Sequence, residues 1–180
     1  MSKKRFSEKP VSSKILYSGK LIKVREDFVK SERGSFSREI VEHSGSATIV
    51  PIIGNSIIMV RQFRQTTKKV LLELPAGTLK SGENPEKCAE RELVEETGYK
   101  AGCLKKMFQC YVAPGYNTEV SYIYLATDLA KAEQRLEEDE NIEVVKIEFE
   151  HVLQMIERNE IEDAKSIIGI LFFQNFLNTK

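Results

Sequence analysis

The sequence contains few cysteines and no long apolar run. Three of its 180 residues are cysteine, an odd number without close pair spacing, which argues against a disulfide framework and a zinc site. We expect Cys88, Cys103 and Cys110 to be reduced thiols, for which packing is favoured over catalysis. No stretch approaches the roughly 18 apolar residues of a membrane span, and no apolar segment follows the basic start. We therefore expect a cytoplasmic protein without membrane contact.

The chain also lacks an excess of charge of either sign. Its 27 Lys and Arg residues balance 27 Asp and Glu residues, so the formal net charge is zero. General nucleic-acid binders gain their affinity from excess basic residues that neutralise phosphates. A nucleic-acid partner is therefore not expected.

What is present is enough apolar material for a sizeable core. With 41% hydrophobic and 30% charged residues, the composition is typical of one compact domain. We predict an N-terminal region over residues 1–44, consisting of a loose basic arm to residue 14 and then strands. The main domain is predicted over residues 45–180. The N-terminal strands could extend the main sheet or exchange with a second subunit.

Hydrophobic patterning predicts strands early in the chain and two helices at its end. The order favours an α+β sandwich over a wound parallel sheet. The last helix is predicted to bury Ile167, Ile168, Leu171 and Phe172. The predicted strands are Lys14–Tyr17, Leu21–Val29, Phe36–Val41, Ala47–Ile53, Ser56–Arg61, Val70–Leu74, Cys103–Tyr111, Ser121–Leu129 and Glu143–Phe149, and the two final helices are His151–Arg158 and Asp163–Leu177.

The clearest helix signal follows Gly82. Asn84 is a typical N-cap, Pro85 suits the first helical position, and Gly98 is a typical stop. Residues 83–96 contain six glutamates against Lys87 and Arg91.

Glu92 and Glu96 lie four residues apart, hence on one helical stripe, with Glu95 on the adjoining edge. Such like charges disfavour a helix by roughly 0.2–0.5 kcal/mol per pair. Either this face is simply solvated, or a divalent cation offsets the repulsion. Magnesium would suit it, because it prefers carboxylate oxygens and bridges phosphates.

The spacing of these residues resembles the signature of the Nudix hydrolases. Gly77 is followed after five residues by Glu83, and after seven more by Arg91-Glu92-Leu93-Val94-Glu95-Glu96-Thr97-Gly98-Tyr99, so the box spans residues 77–99. The resemblance implies a Nudix-type α/β/α sandwich with a mixed central sheet. It also implies hydrolysis of a nucleoside diphosphate linked to another group.

Several roles within the box follow from this resemblance. Glu92 and Glu96 match the chief metal ligands, Glu95 matches a further one, and the carbonyl of Ala76 matches a backbone ligand. The cofactor implied is Mg²⁺, with Mn²⁺ as a substitute. Four further residues are assigned structural roles: Gly77 in a turn, Gly98 at the helix stop, and Arg91 paired with Glu83.

The flanks of the box resemble the ADP-ribose pyrophosphatase subgroup. Arg61-Gln62-Phe63-Arg64 and Leu72-Glu73-Leu74-Pro75-Ala76-Gly77 match its approach to the box, and Pro114 lies sixteen positions after Gly98. Pro114 could instead be an ordinary turn proline. The substrate-binding residues implied are Arg38, Arg64, Glu73 and Glu119. Arg38 resembles a residue that related dimers take from the neighbouring subunit, so a homodimer is implied, although a plain surface arginine is the alternative.

A second acidic segment, residues 133–143, resembles the loop that carries the subgroup's catalytic glutamate. Glu140 is the best-aligned general base, Glu138 is second, and Glu95 of the box is the competing assignment. The function implied is Mg²⁺-dependent hydrolysis of ADP-ribose to AMP and ribose 5-phosphate. The alternatives are another nucleoside diphosphate sugar or a dinucleotide coenzyme as substrate, and an inactive domain that senses a nucleotide.

Overall fold

The computed structural model describes residues 7–138 and 140–178, and the chain divides into two compact units. The first unit comprises the residues up to Gly45 together with Tyr111–Val120. The second comprises Ser46–Cys110 and the chain from Ser121 onward.

The first unit is built on an antiparallel sheet of three strands. These are β1 (Lys9–Ser18), β2 (Lys23–Ser31) and β3 (Gly34–Glu42), with β2 in the centre. The turn predicted at Arg33-Gly34 is confirmed, and Gly34 takes a φ of 129° there. The predicted loose arm is wrong for residues 9–14, which pair with β2 as part of β1. Its residues 1–6 lie outside the described part of the chain.

The second unit contains seven strands and three helices within the described residues. Its strands are β4 (Ser46–Ile53), β5 (Ser56–Arg64), β6 (Lys69–Glu73), β7 (Ala76–Thr78), β8 (Tyr99–Tyr111), β9 (Val120–Lys131) and β10 (Ile142–Glu148). Its helices are α1 (Pro85–Thr97), α2 (Phe149–Glu157) and α3 (Ala164–Asn178). The strand order is β10-β5-β4-β9-β8, with β6 beside β5 and β7 beside β4. The sheet is mixed, because β4 runs parallel to β9 and antiparallel to β5.

Alternation along β4 gives the sheet two apolar faces, each covered by helices. Ala47 and Ile49 pack in one buried cluster with Leu93 of α1. Val50 packs in the other cluster, with Val152 of α2 and Ile170 of α3. The predicted mixed sheet between helical layers is therefore confirmed. Of the helices in residues 7–138 and 140–178, none is long and apolar enough to cross a membrane.

The prediction for the buried face of α3 is wrong for three of its four residues, since only Ile167 packs against the core. Ile168, Leu171 and Phe172 are all more than 40% exposed, whereas Ile170 and Phe173 are buried. Gly169 explains the difference, because a Cβ there would lie 2.9 Å from Leu74 Cδ1. The helix thus packs its glycine side tightly against the sheet. The helix carries apolar residues on all its faces, so the sequence pattern alone does not predict which face is buried.

Candidate active site

The helix α1 begins and ends where the sequence predicts. The side chain of Asn84 accepts a hydrogen bond of 2.8 Å from the backbone N–H of Glu86, and Pro85 is the first helical residue. Gly98 takes a left-handed φ of 65° and donates its N–H to the carbonyl of Val94. These caps fix which glutamates face the sheet.

Two of those glutamates point inward. Glu92 is 7% exposed and Glu96 is 3% exposed, although both are charged residue types that are seldom buried without a partner. They approach β7, where a Cβ on Gly77 would lie 1.9 Å from the carboxyl of Glu92. Gly77 has no positive φ, so the turn role predicted for it is wrong. Gly77 leaves free the space over the backbone that the Glu92 carboxylate occupies, so a larger residue there would displace the end of the Glu92 side chain.

Arg91 is the main counter-charge of the box. Its Nε and Nη2 donate to the two carboxylate oxygens of Glu83 at 2.9 Å each, which confirms the predicted pair. Its Nη1 donates to Glu92 at 2.6 Å and to Glu95 at 2.9 Å. The Arg91 hydrogen bonds, the largest cause, lower the pKa of Glu83 to about 2. One guanidinium therefore gathers three of the box carboxylates.

Glu96 is held differently, because its carboxylate accepts a hydrogen bond of 2.9 Å from the backbone N–H of Ala76. Burial, reinforced by the charges of Glu92 and Glu140, raises the pKa of Glu96 to about 8. Burial also raises the pKa of Glu92, with Glu95 and Glu140 adding to the effect. The protein alone thus supplies too little positive charge to hold the pKa of either buried carboxylate at its ordinary value.

The donor set fits a hard divalent cation in its chemistry. Carboxylate oxygens are the ligands that Mg²⁺ prefers, and the raised pKa values mark a local deficit of positive charge. Over residues 7–138 and 140–178, however, no three Asp, Glu, His or Cys side chains are already gathered into a metal cluster. Two of the predicted ligands, Glu92 and Glu95, are bound to Arg91 instead. A metal would therefore compete with Arg91 for them.

Arg64, predicted to contact substrate, lies at the end of β5. Its Nε and Nη2 donate to the two oxygens of Glu73 at 2.7 Å each. Its charge opposes the rise in the pKa of Glu96, so the two side chains lie within electrostatic range. Glu73 was also predicted to bind substrate, but it is 1% exposed and holds Arg64 and Lys165. That burial fits support of Arg64 better than direct contact with a ligand.

The segment before β10 docks on the C-terminal end of α1. Gln134 Nε2 donates to the carbonyl of Glu96 at 2.7 Å, and the N–H of Arg135 donates to the carbonyl of Glu95 at 3.0 Å. The segment carries Glu140, whose charge contributes to the raised pKa of both buried box carboxylates. Glu138 is exposed in the same segment. The structure thus brings Glu140 into electrostatic range of the box.

The other two predicted substrate residues belong to the first unit. Arg38, on β3, forms a bidentate ion pair with Glu8 at 2.5 and 3.1 Å. Glu119 donates its backbone N–H to Asn117 Oδ1 at 2.9 Å, in the loop before β9. Pro114 lies in a turn closed by the N–H of Tyr116 and the carbonyl of Ala113, as its alternative interpretation requires.

Of the cysteines, Cys88 contacts the box through its thiol, which lies 3.6 Å from the carbonyl oxygen of Gly77 and 3.5 Å from Nη2 of Arg91. Within the described residues none of the three cysteines forms a disulfide, and Cys88, on α1, is buried in the cluster that contains Leu93. Burial raises the pKa of the Cys88 thiol to about 12, which keeps it protonated at neutral pH.

Sequence reasoning missed two residues that shape the site, Lys165 and Gln134. Lys165 lies two positions after Asp163 and 92 positions from its partner Glu73, so nothing local marked it. Gln134 carried no signal, because its partner is a backbone carbonyl that depends only on the fold.

Comparison with known proteins agrees with this geometry. A family profile described as NUDIX domain matches residues 43–168. An ADP-ribose pyrophosphatase of Bacillus subtilis (strain 168) is 38% identical over 175 residues, 95% of each chain. A methanol dehydrogenase activator of Bacillus methanolicus is 35% identical over 95% of each chain. A GDP-mannose pyrophosphatase of Enterobacter sp. (strain 638) is 37% identical over 76% of this chain and 77% of its own.

A solved structure described as a crystal structure of ADP compounds hydrolase superposes with a TM-score of 0.87. The match covers 99% of this chain and 98% of that chain, at 22% identity. At that identity the likeness supports the fold alone.

Proposed function

The chain belongs to the Nudix domain family, and we propose that it hydrolyses the pyrophosphate bond of ADP-ribose, giving AMP and ribose 5-phosphate. The observation that carries the proposal is the pair of buried carboxylates, Glu92 and Glu96, on one helix, with Glu96 within electrostatic range of Arg64. Acidic oxygens for a cation beside a guanidinium for phosphates form a site suited to a metal diphosphate. Its relative from Bacillus subtilis supports ADP-ribose as the substrate.

The cofactor proposed is Mg²⁺, with Mn²⁺ as a substitute, held by Glu92, Glu95, Glu96 and the carbonyl of Ala76. When bound, the metal neutralises phosphoryl oxygens and makes a water more acidic. Arg64 binds the diphosphate by donating to its oxygens, since a guanidinium is planar and always charged.

Glu140 is proposed as the general base. It takes a proton from the attacking water while the water oxygen bonds to phosphorus and the bridging P–O bond breaks. Its charge already acts on Glu92 and Glu96, whereas Glu138 is exposed. Glu95, 30% exposed and bound to Arg91, is the competing base. Loss of activity in Glu140→Gln but not in Glu138→Gln would separate the candidates.

A substrate panel with Mg²⁺, analysed by product identity, tests the reaction. AMP and ribose 5-phosphate released from ADP-ribose would support the proposal. Preferred hydrolysis of GDP-mannose, on which the relative from Enterobacter is named to act, would replace it with another nucleoside diphosphate sugar. Binding of ADP-ribose without turnover would favour a nucleotide-sensing domain. Glu96→Gln should nearly abolish turnover, and an active variant would overturn the metal assignment.

A homodimer in the cytoplasm is the proposed setting. The edge strand β1 carries Val11, Ile15, Leu16 and Tyr17, each more than half exposed, which is a suitable surface for a second copy. We propose the N-terminal region of residues 1–44 as the dimerisation element. The three cysteines, none of which forms a disulfide within the described residues, agree with a reducing compartment.

A further inference from the structure

A buried carboxylate binds two cations, one of which is the proposed phosphate-binding arginine. Glu73 is 1% exposed, and it accepts hydrogen bonds from Arg64 at 2.7 Å and from Lys165 Nζ at 2.6 Å. An anion this deeply buried is costly unless it is paired. Burial acts to raise the pKa of Glu73, but Arg64 and Lys165 outweigh it and hold the pKa below its usual value.

Arg64 is anchored on one side only. Glu73 occupies its Nε and one position of Nη2, and the side chain remains 39% exposed. Within the described residues, its Nη1 makes no hydrogen bond. This leaves one edge of a fixed guanidinium available to donate to phosphate oxygens.

Lys165 is itself fixed at the start of α3. Its Nζ also contacts Asp163 at 2.9 Å, and Asp163 accepts from both the N–H and the hydroxyl of Ser166. The hydroxyl of Ser166 in turn accepts from the N–H of Leu74 at 2.6 Å. The start of α3 is thus tied to the residue that follows Glu73 in the chain.

We infer that Lys165 is a positioning residue for Arg64, which it holds through their shared partner Glu73. Glu73 and Asp163 together balance the charges of Arg64 and Lys165, so Lys165 adds no net charge to the cluster. It acts by holding the Glu73 carboxylate in place, and Glu73 in turn holds the guanidinium of Arg64 through Nε and Nη2. The inference rests on the proposed function, in which Arg64 binds the diphosphate. It makes diphosphate affinity depend on a residue that need not touch the substrate.

The primary test is the kinetics of Lys165→Met with the preferred diphosphate substrate. KM should rise about tenfold, the scale of one weakened charge-assisted contact, while kcat stays within about twofold. Lys165→Arg, which keeps the charge, should restore most of the affinity. Lys69→Met is the matched control, since Lys69 pairs with Glu162 while 58% exposed, and its KM should not change. An unchanged KM in Lys165→Met would overturn the inference.

A double-mutant cycle separates action through Arg64 from direct contact. In an Arg64→Met background, Lys165→Met should change KM by less than about twofold, because the residue it positions is gone. Additive effects would overturn the positioning role. Thermal melts establish folding, and Lys165→Gln provides a second variant that still donates a hydrogen bond to Glu73 without the charge.

Calorimetry with inorganic pyrophosphate and Mg²⁺ separates this inference from the proposed function. A protein that hydrolyses no diphosphate compound, yet loses pyrophosphate affinity in Lys165→Met, would refute the function and support the positioning role. If ADP-ribose is hydrolysed but the wild type and Lys165→Met bind pyrophosphate with equal affinity, the function would be supported and the positioning role refuted. A wild-type protein that neither hydrolyses ADP-ribose nor binds pyrophosphate would refute both the proposed function and the positioning role.

Discussion

Because Gly77 has no side chain, the Glu92 carboxylate can lie over its backbone. Alanine at this position would put its Cβ 1.9 Å from the Glu92 carboxyl, so Glu92 must move away from the sheet. We expect Gly77→Ala to fold but to lose activity by about 100-fold, since misplacing a metal ligand by an ångström has that scale of effect. Activity assays and thermal melts of the purified variant check this.

Gly115→Ala is the matched control for that substitution. No atom lies within 4 Å of the position its Cβ would take, and its activity should stay at the wild-type level. A Gly77→Ala enzyme as active as this control would contradict the close approach of Glu92.

Burial of Glu96 predicts a pH-dependent stability in the metal-free protein. Its pKa of about 8 in the folded state exceeds its ordinary value of 4.5, so the folded protein holds a proton that the unfolded chain releases. Its stabilising contribution is therefore complete below about pH 4.5 and is lost as the pH rises towards 8. Glu96→Gln should show a growing advantage over wild type across that range, at most about 1.4 kcal/mol per pH unit.

Denaturant titrations in EDTA at several pH values measure that difference. Gln keeps an acceptor for the Ala76 N–H, so the variant removes only the titrating charge. Glu157→Gln, on an exposed position of α2, is the control and should run parallel to wild type. A constant gap between wild type and Glu96→Gln would mean that Glu96 does not titrate in this range.

At the scale of elements, how far the sequence predicts the structure depends on where the partners come from. Helix α1 carries its caps in its own sequence, at Asn84 and Gly98, and was predicted to the residue. The face of α3 depends on Gly169 fitting against Leu74, a contact between distant segments. Strand β7 is three residues long and exists through pairing with β4, so it was read as a turn.

The same reasoning separates the site residues. The Arg91–Glu83 pair was predictable, because both members lie within the box, and the structure confirms it. The burial of Glu73 was not, because it depends on Lys165, 92 positions away. Local spacing reveals which residues carry charge, but only the fold reveals which of those charges are neutralised internally.

The segment before β10 docks on α1 through the side chain of Gln134. Its side chain satisfies the carbonyl of Glu96, one of the last carbonyls of the helix. Gln134→Ala should lower kcat about tenfold with little change in KM, because Glu140 loses a fixed position relative to the box. Steady-state kinetics measure both constants.

Gln109 offers the comparison for that variant. It lies exposed on β8, where it accepts a hydrogen bond from Lys106, and Gln109→Ala should retain wild-type kcat. Should Gln134→Ala instead raise KM alone, the segment would contribute to substrate binding and not to the position of the base.

At the scale of the whole molecule, a net charge of zero conceals opposed regions. Residues 1–25 contain eight basic residues against Glu8, whereas residues 83–96 contain six acidic residues against two basic ones. A metal diphosphate presents both signs, so a protein that binds it needs surfaces that attract cations and anions. The neutral total therefore argues against a general nucleic-acid binder but not against a ligand rich in phosphate.

We expect the exposed edge strand β1 to determine the number of chains in the assembly. Strand β1 is an edge strand whose apolar side chains are exposed, Ile15 by 64%, and such an edge is prone to pair with another chain. We expect the wild type to sediment as a dimer and Ile15→Lys to shift towards monomer, because a charge would be buried in the interface. Ser12→Lys adds the same charge to the same exposed strand. If both variants remain dimeric, the two copies meet elsewhere. If Ser12→Lys also dissociates, the added charge and not the lost apolar contact is responsible for the dissociation. A monomeric wild type would refute the dimer.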